Sequence, residues 1–222
     1  MKAMLLAAGR GERLRPITDS IPKALVQVNG RALIAWHLAA LARAGIREVV
    51  VNLSWLGGKL RAALGDGREF GVRITWSDEG PAPLETGGGI FRALPWLGPE
   101  PFLVVNADIW TDVDFAALGL DSGRDAHLVL IPNPPHHPRG DFALDDAVVV
   151  KRDSERFTYS GVGVYRPEFF SGCTAGTFPL LPLLERAIAA ARVSGQLHRG
   201  EWCDVGTAER LAKLTGRLSA LE

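Results

Sequence analysis

Apolar and polar positions alternate in blocks along the first half of the chain, and the block period switches between two and 3.6. Lys2 to Ala8 is a short apolar run that predicts a buried strand running into a glycine turn. Ala32 to Ala44 is apolar on nearly every side, through Leu33, Ile34, Trp36, Leu38 and Leu41. That predicts a helix packed on a sheet and covered on its other face too, stopped by Gly45. Glu48 to Val51 predicts a β-branched strand, Leu56 to Leu64 a short helix ended by Gly65, and Val72 to Trp76 an alternating strand. Thr86-Gly87-Gly88-Gly89 opens a helix expected to reach about Leu94 and stop at Pro95. Phe102 to Val105 is another buried strand, followed by Asn106-Ala107-Asp108. This β-α-β-α-β rhythm predicts an α/β fold: a mostly parallel central sheet with helices on both faces. Ligands in such sheets sit beyond the carboxyl ends of the strands. The Gly9 turn and Asp108 both fall at such ends.

The second half is less regular. His127 to Ile131, Ala147 to Val150 and Phe157 to Tyr165 read as strands, the last interrupted by Ser160-Gly161. Pro132 to Asp141 is a proline-rich loop too long and rigid for a simple hairpin, a length more common in functional loops. Leu180 to Arg192 predicts a helix with Pro182 near its start. Trp202 to Thr207 reads as a strand end and turn, with Thr207 capping a final helix over Arg210 to Leu218. No repeat or linker divides the chain, so one domain over residues 1–222 is expected.

Composition narrows the function classes. A hydrophobic share of 47% supports a sizeable core and excludes global disorder. Lys plus Arg and Asp plus Glu are balanced at 25 each, which argues against nucleic acid as a partner. No apolar run is long enough to span a bilayer, and the six apolar residues before Gly9 are too few for a signal peptide. The cysteines, Cys173 and Cys203, form no metal-binding spacing. A cytoplasmic protein without membrane contact, monomeric or weakly dimeric, is expected.

The turn Gly9-Arg10-Gly11-Glu12-Arg13, with Pro22-Lys23 behind it, carries the strongest chemical signal. Glycines expose backbone N–H groups, and fixed positive charge surrounds them, which suits a polyphosphate. A dinucleotide fingerprint requires glycine where Leu14 stands, and no phosphate-loop G-x-x-x-x-G-K-[ST] run occurs.

The run Leu6-Ala7-Ala8-Gly9-x-Gly11-x-Arg13-x-x-Pro16-x-Thr18, then Pro22-Lys23, closely resembles the signature of sugar-1-phosphate nucleotidylyltransferases. Glu85-Thr86-Gly87-Gly88-Gly89 resembles that family's base-facing loop. Asn106-Ala107-Asp108 and Trp202-x-Asp204-Val205-Gly206-Thr207 resemble its two metal-aspartate segments, with Ala107 where glycine is common. Four motifs in order cover essentially the whole chain. The resemblance is narrowest to short uridylyltransferases acting on N-acetylmuramate 1-phosphate in cell-wall recycling. The Leu84–Ile90 run, the loop through His136, His137, Gly140, Asp141 and Phe142, and the overall length carry it.

The resemblance implies a Rossmann-like nucleotidyltransferase fold, nucleotide-binding over about 1–110 and sugar-binding over about 111–222. It implies UTP and a sugar 1-phosphate as substrates and Mg²⁺ as cofactor, held by Asp108 and Asp204. Those two aspartates are 96 residues apart, and the sequence does not show that they meet. Lys23, Arg13 and Asp108 are the expected catalytic residues. Gly9, Gly11, Glu12, Arg13, Lys23, Glu85 and Gly88 are the expected nucleotide contacts. Asn106, Asp141, Ser160 and Gly161 are the expected sugar contacts. Arg139 or a histidine of the 132–141 loop could meet the lactyl carboxylate of a muramyl sugar, and the sequence does not choose between them. His37, in an apolar helix, is expected to be a satisfied core residue. Competing readings change the sugar (glucose, mannose, heptose) or use choline phosphate; a further one is a non-catalytic nucleotide-sugar-binding regulator.

Overall fold

The computed structural model describes residues 1–153 and 155–220. The strands are β1 (Lys2–Leu6), β2 (Gln27–Val28), β3 (Arg31–Ala32), β4 (Glu48–Leu53), β5 (Arg73–Asp78), β6 (Phe102–Asn106), β7 (Ile109–Thr111), β8 (Ala126–Ile131), β9 (Phe142–Asp145), β10 (Val148–Val150), β11 (Arg156–Tyr165), β12 (Val193–Leu197) and β13 (Trp202–Asp204). The helices are α1 (Ile17–Ser20), α2 (Leu33–Arg43), α3 (Gly57–Leu64), α4 (Glu85–Leu97), α5 (Leu181–Ala189) and α6 (Ala208–Ser219).

A nine-stranded sheet runs in the order β5-β4-β1-β6-β11-β8-β12-β10-β9. The four strands from β5 to β6 are parallel. Beyond β6 the sheet is mixed: β11 is antiparallel to β6 and β8, while β12 is parallel to β8. From β1 the chain goes first to β4 on one side and later to β6 on the other, so the strand order reverses at β1/β6. That reversal opens a crevice at the carboxyl ends of these two strands.

The central strands read as unbroken apolar runs because both faces are covered. Ala3 and Leu5 point into one core layer and Met4 into the other; Val49 and Val51 likewise oppose Val50. α2 and α3 close the first layer with Ile34, Leu38, Leu41, Leu60 and Leu64. α4 and α5 close the second with Ile90, Ala93, Leu97, Leu184 and Ile188. A third cluster joins Leu214 and Leu218 of α6 to Leu14, Val28, Leu33 and Val205, fastening the last helix to the turn after β1. Among the described residues, no helix is long and apolar enough to cross a membrane.

Two expectations shift. Pro95 does not stop α4, which continues to Leu97 before Gly98. A proline in the last turn removes only one intrahelical bond, so it is tolerated there. The stretch after α5 is a strand, β12, rather than helix to Arg192; it pairs with β8 and takes its burial from tertiary neighbours rather than from its own pattern. The interruption at Ser160-Gly161 is a shift of register between Tyr159 and Val162. Thr207 caps α6 by accepting from the Arg210 N–H.

Candidate functional site

The crevice at β1 and β6 is a cleft of about 560 Å³. Leu6 of β1 pairs with Asn106 of β6, so the Gly9 turn and Asp108 leave the sheet side by side. Gly9, Arg10, Gly11, Glu12, Arg13, Lys23, Glu85, Asn106, Asp108 and Gly206 all line the cleft. The sequence-expected nucleotide residues therefore converge, with Gly88 the exception.

The turn is shaped by sterics. Gly11 has φ +67°, a left-handed conformation that favours glycine. A Cβ there would lie 2.9 Å from the Thr18 methyl and 3.0 Å from Lys23 Cβ. Thr18 is buried and donates its hydroxyl to the Gly11 carbonyl at 2.8 Å. Leu14 anchors the following 3₁₀ turn in the third core cluster. Arg10 and Arg13 stay exposed; the Arg10 guanidinium lies 5.4 Å over the Trp55 ring.

Lys23 is 9% exposed, and its Nζ donates to Asp108 Oδ2 at 2.6 Å. Asp204 arrives from the far end of the chain. β13 pairs with β7, Asp204 opposite Ile109, and the Val205 N–H donates to the Asp108 carbonyl at 2.9 Å. The two expected aspartates are thus backbone neighbours. His37 steadies this junction: Nε2 lies 2.7 Å from the Ile109 carbonyl, and burial lowers its pKa to about 4. It is neutral and donates that bond, a satisfied core histidine as expected.

Two cleft residues went unnoticed in the sequence. Asn52, at the carboxyl end of β4, accepts the Ala7 N–H at 2.6 Å and donates to Glu79 Oε1 at 2.7 Å. Glu79, just beyond β5, accepts the Leu84 N–H through Oε2 at 2.7 Å. This buried pair ties the start of the phosphate turn to the start of α4. Its signal was available: a polar residue ending an apolar parallel strand, as at Asn106.

The glycines of α4 have a packing cause. A Cβ at Gly87 would press on Phe178, one at Gly88 would overlap the Gly176 carbonyl, and one at Gly89 would meet Glu79 Oε1. The Gly88 N–H donates to the Phe178 carbonyl at 3.0 Å. Gly88 is therefore committed to the 176–178 segment rather than open to a base; Glu85 and Thr86 are the residues of this loop that line the cleft.

The expected sugar contacts divide. Asn106 lines the cleft, with Gly161 (φ +82°) against its side chain. Ser160 is 1% exposed; its hydroxyl donates to the Val129 carbonyl and accepts from the Val162 N–H. Buried and doubly bonded, that hydroxyl shapes the bulge and does not face a sugar. Asp141 accepts the Tyr159 N–H through Oδ2 and faces His137 Nε2 at 2.9 Å through Oδ1. Both oxygens brace the loop. His136 instead reaches Asp204 Oδ1, at 3.2 Å, while Arg139 is exposed.

Among the described residues, no three or more His, Cys, Asp or Glu gather as a ready metal site. Asp108 and Asp204 provide a two-carboxylate set, and Asp204 Oδ1 is buried without a hydrogen-bond donor. Arg210 Nη1 and His136 Nε2 each lie 3.2 Å from that oxygen, and Asp108, unlike Asp204, lines the cleft itself. A set of two carboxylates is of the kind a hard divalent cation takes, completing its shell with phosphate oxygens and water.

Residues 2–140 match the model of the nucleotidyl transferase family. The chain is 51% identical over 220 residues, 95% of each chain, to N-acetylmuramate alpha-1-phosphate uridylyltransferase of Neisseria meningitidis serogroup B. It is 38% identical over 233 residues, 98% of this chain and 96% of the other, to the protein of that name from Caulobacter vibrioides. A solved structure of a putative glucose-1-phosphate thymidylyltransferase from Bacillus anthracis superposes with TM-score 0.86 over 98% of this chain and 94% of that one, at 19% identity.

Proposed function

This chain belongs to the nucleotidyl transferase family, and from that premise we propose that it transfers UMP from UTP to N-acetylmuramate 1-phosphate, releasing pyrophosphate. The observation that carries the reading is the Lys23–Asp108 ion pair in the cleft beside the Gly9–Arg13 turn, with the strand end bearing Asp204 bonded to the Asp108 backbone. Two relatives, 51% and 38% identical over nearly the whole chain, carry that activity in their names and direct the choice of base and sugar.

The sugar phosphate is a monoester whose second pKa lies near ~6, so its oxygen is already anionic at neutral pH and needs no general base. What the reaction requires is alignment of two anions that repel each other, and cover for the charge that builds at the α-phosphorus. Backbone N–H groups of the turn and the Arg13 guanidinium bind the triphosphate at its β and γ end. The stem of Lys23 is packed against Gly11, which confines its ammonium to the neighbourhood of Asp108. It shifts from Asp108 to the phosphate under attack. Glu85 and Thr86 flank the base, and Asn106 offers its amide to hydroxyls of ribose or sugar. Mg²⁺, when bound by Asp108 and Asp204, supplies Lewis-acid neutralisation of the reacting phosphates. The free thiols Cys173 and Cys203 suit a reducing cytoplasm.

The test is pyrophosphate release by the purified chain with Mg²⁺ across a panel of four nucleoside triphosphates and several sugar 1-phosphates. UTP with N-acetylmuramate 1-phosphate is expected to exceed the other pairs by about 100-fold in kcat/KM. Preference for glucose or mannose 1-phosphate would keep the reaction class and overturn the substrate. Silence across a panel that also includes choline phosphate, with nucleotide-sugar binding retained, would favour a regulator.

A further inference from the structure

Asp204 is enclosed more tightly than a waiting metal ligand needs to be. Its side chain is 17% exposed, and two cationic or protonatable groups stand at one oxygen: Arg210 Nη1 and His136 Nε2, each 3.2 Å from Oδ1. Neither forms a hydrogen bond with it, since Oδ1 is buried without a donor. Arg210 is as buried as its partner, and its Nε is likewise buried without an acceptor. The pair is matched in charge and mismatched in direction.

Arg210 is also held against its local preference. It lies in the first turn of α6, where the helix dipole disfavours a cation. The guanidinium fits there because residue 206 is glycine; a Cβ at 206 would overlap Nη2 and lie 3.1 Å from Asp204 Oδ2. Thr207 caps the same turn through the Arg210 N–H, and Leu214 and Leu218 anchor the helix. The fold thus delivers one buried positive charge to one of the two carboxylates.

From this geometry we infer that Arg210 is a positioning residue: the resident counter-ion of Asp204, which the divalent cation must displace. The inference rests on the reading of Asp204 as a metal ligand. A carboxylate buried alone is costly, so the fold neutralises it while the metal is absent. Without an aligned hydrogen bond the pair holds by charge alone, which leaves it open to exchange for another cation. Lys23 neutralises Asp108 as well, there through a direct hydrogen bond. Each carboxylate therefore carries its own cation, and the bare site attracts a free metal ion poorly. Nucleotide phosphates change the balance by offering acceptors to the released cations. Gly206, against which the guanidinium lies, is a wall of the cleft, so the freed charge stays beside the substrates.

The test measures Mn²⁺ binding without nucleotide, from the loss of the free-ion paramagnetic resonance signal. Arg210→Gln removes the charge, and roughly tenfold tighter Mn²⁺ binding than wild type is expected. Arg210→Lys keeps a charge and should stay within about twofold of wild type. A scaffold role predicts the opposite sign, because a loosened Asp204 binds metal less well; equal or weaker binding by a natively folded Arg210→Gln protein overturns the inference. Arg210→Met keeps the stem over Gly206 and answers the same question if Gln does not fold. Adding Asp204→Asn to Arg210→Gln should abolish the gain. If the gain survives, the metal does not use Asp204, and the reading of the site fails along with the counter-ion role.

Discussion

The turn after β1 and the bulge of β11 are both glycine-punctuated breaks rich in polar side chains, yet they do opposite things with their polar atoms. In the turn, Arg10, Glu12 and Arg13 face the cleft, while the buried Thr18 hydroxyl and the Asn52 amide close on the backbone from outside it. Around the bulge, Ser160 bonds Val129 and Val162, Thr158 bonds Asn133, and Asn133 bonds the carbonyls of Pro138 and Arg156. The difference follows from position in the sheet. The turn lies beyond the end of a parallel strand, where the backbone leaves the sheet and side chains meet open space. The bulge lies inside a strand flanked on both edges, where each displaced backbone group needs a partner. Residue type alone does not separate a binding group from a group that repairs a ladder.

The sharpest way to break this contrast is at Lys23. Lys23→Ala should lower turnover about 10²–10³-fold, the range for removing one donor aimed at developing charge. Trp76→Phe, on β5, serves as the control with little effect. Equal small losses in both would place Lys23 with the ladder-repairing residues rather than with the site.

His37 is one of the first half's buried polar groups, and it sharpens the boundary between the two behaviours. Its pKa is lowered to about 4, against 6.5 for the unperturbed imidazole, chiefly by burial. Between those values the unfolded chain takes a proton that the folded chain refuses. Its contribution is therefore intact above pH 6.5 and erodes as pH falls toward 4. His37→Gln keeps a donor near the Ile109 carbonyl and has no titration. In urea titrations, wild type should lose about 2 kcal/mol relative to this variant between pH 7.5 and pH 5. A pH-independent difference would mean the imidazole is accessible to protons in the folded state.

Ser160→Ala has the smallest expected effect on activity and gives the cleanest contrast. It leaves two backbone groups without their partner, at a cost of about 1–3 kcal/mol in denaturant titrations. Activity per folded molecule should be unchanged. A rise in KM for the sugar phosphate with unchanged stability would return Ser160 to the substrate.

Much of the parallel half was legible because its information is local. Apolar runs such as Met4–Ala8 and Val49–Val51 can be buried on both faces only in a covered sheet, and a glycine turn loaded with arginine declares its chemistry within a few residues. The bulge was legible for the same reason, from Ser160-Gly161 breaking an apolar run. β12 was not: Val193-Ser194-Gly195-Gln196-Leu197 has no pattern of its own and becomes a strand through β8 and β10. The packing role of the α4 glycines was not legible, since it depends on Gly176 and Phe178, distant in sequence.

The amino-acid sequence by itself determined the α/β class, the phosphate turn and the membership of Lys23, Asp108 and Asp204 in one set of motifs. Only the tertiary structure decided that Asp204 lies beside Asp108, that Asn52 and Glu79 brace the cleft, and that Asp141 and Ser160 serve the scaffold. The physical reason is range. Periodicity and turn sterics act over a few bonds and are written along the chain, whereas a carboxylate's partners are set by strand pairing and helix packing that join residues about a hundred positions apart, as β13 is brought to β7.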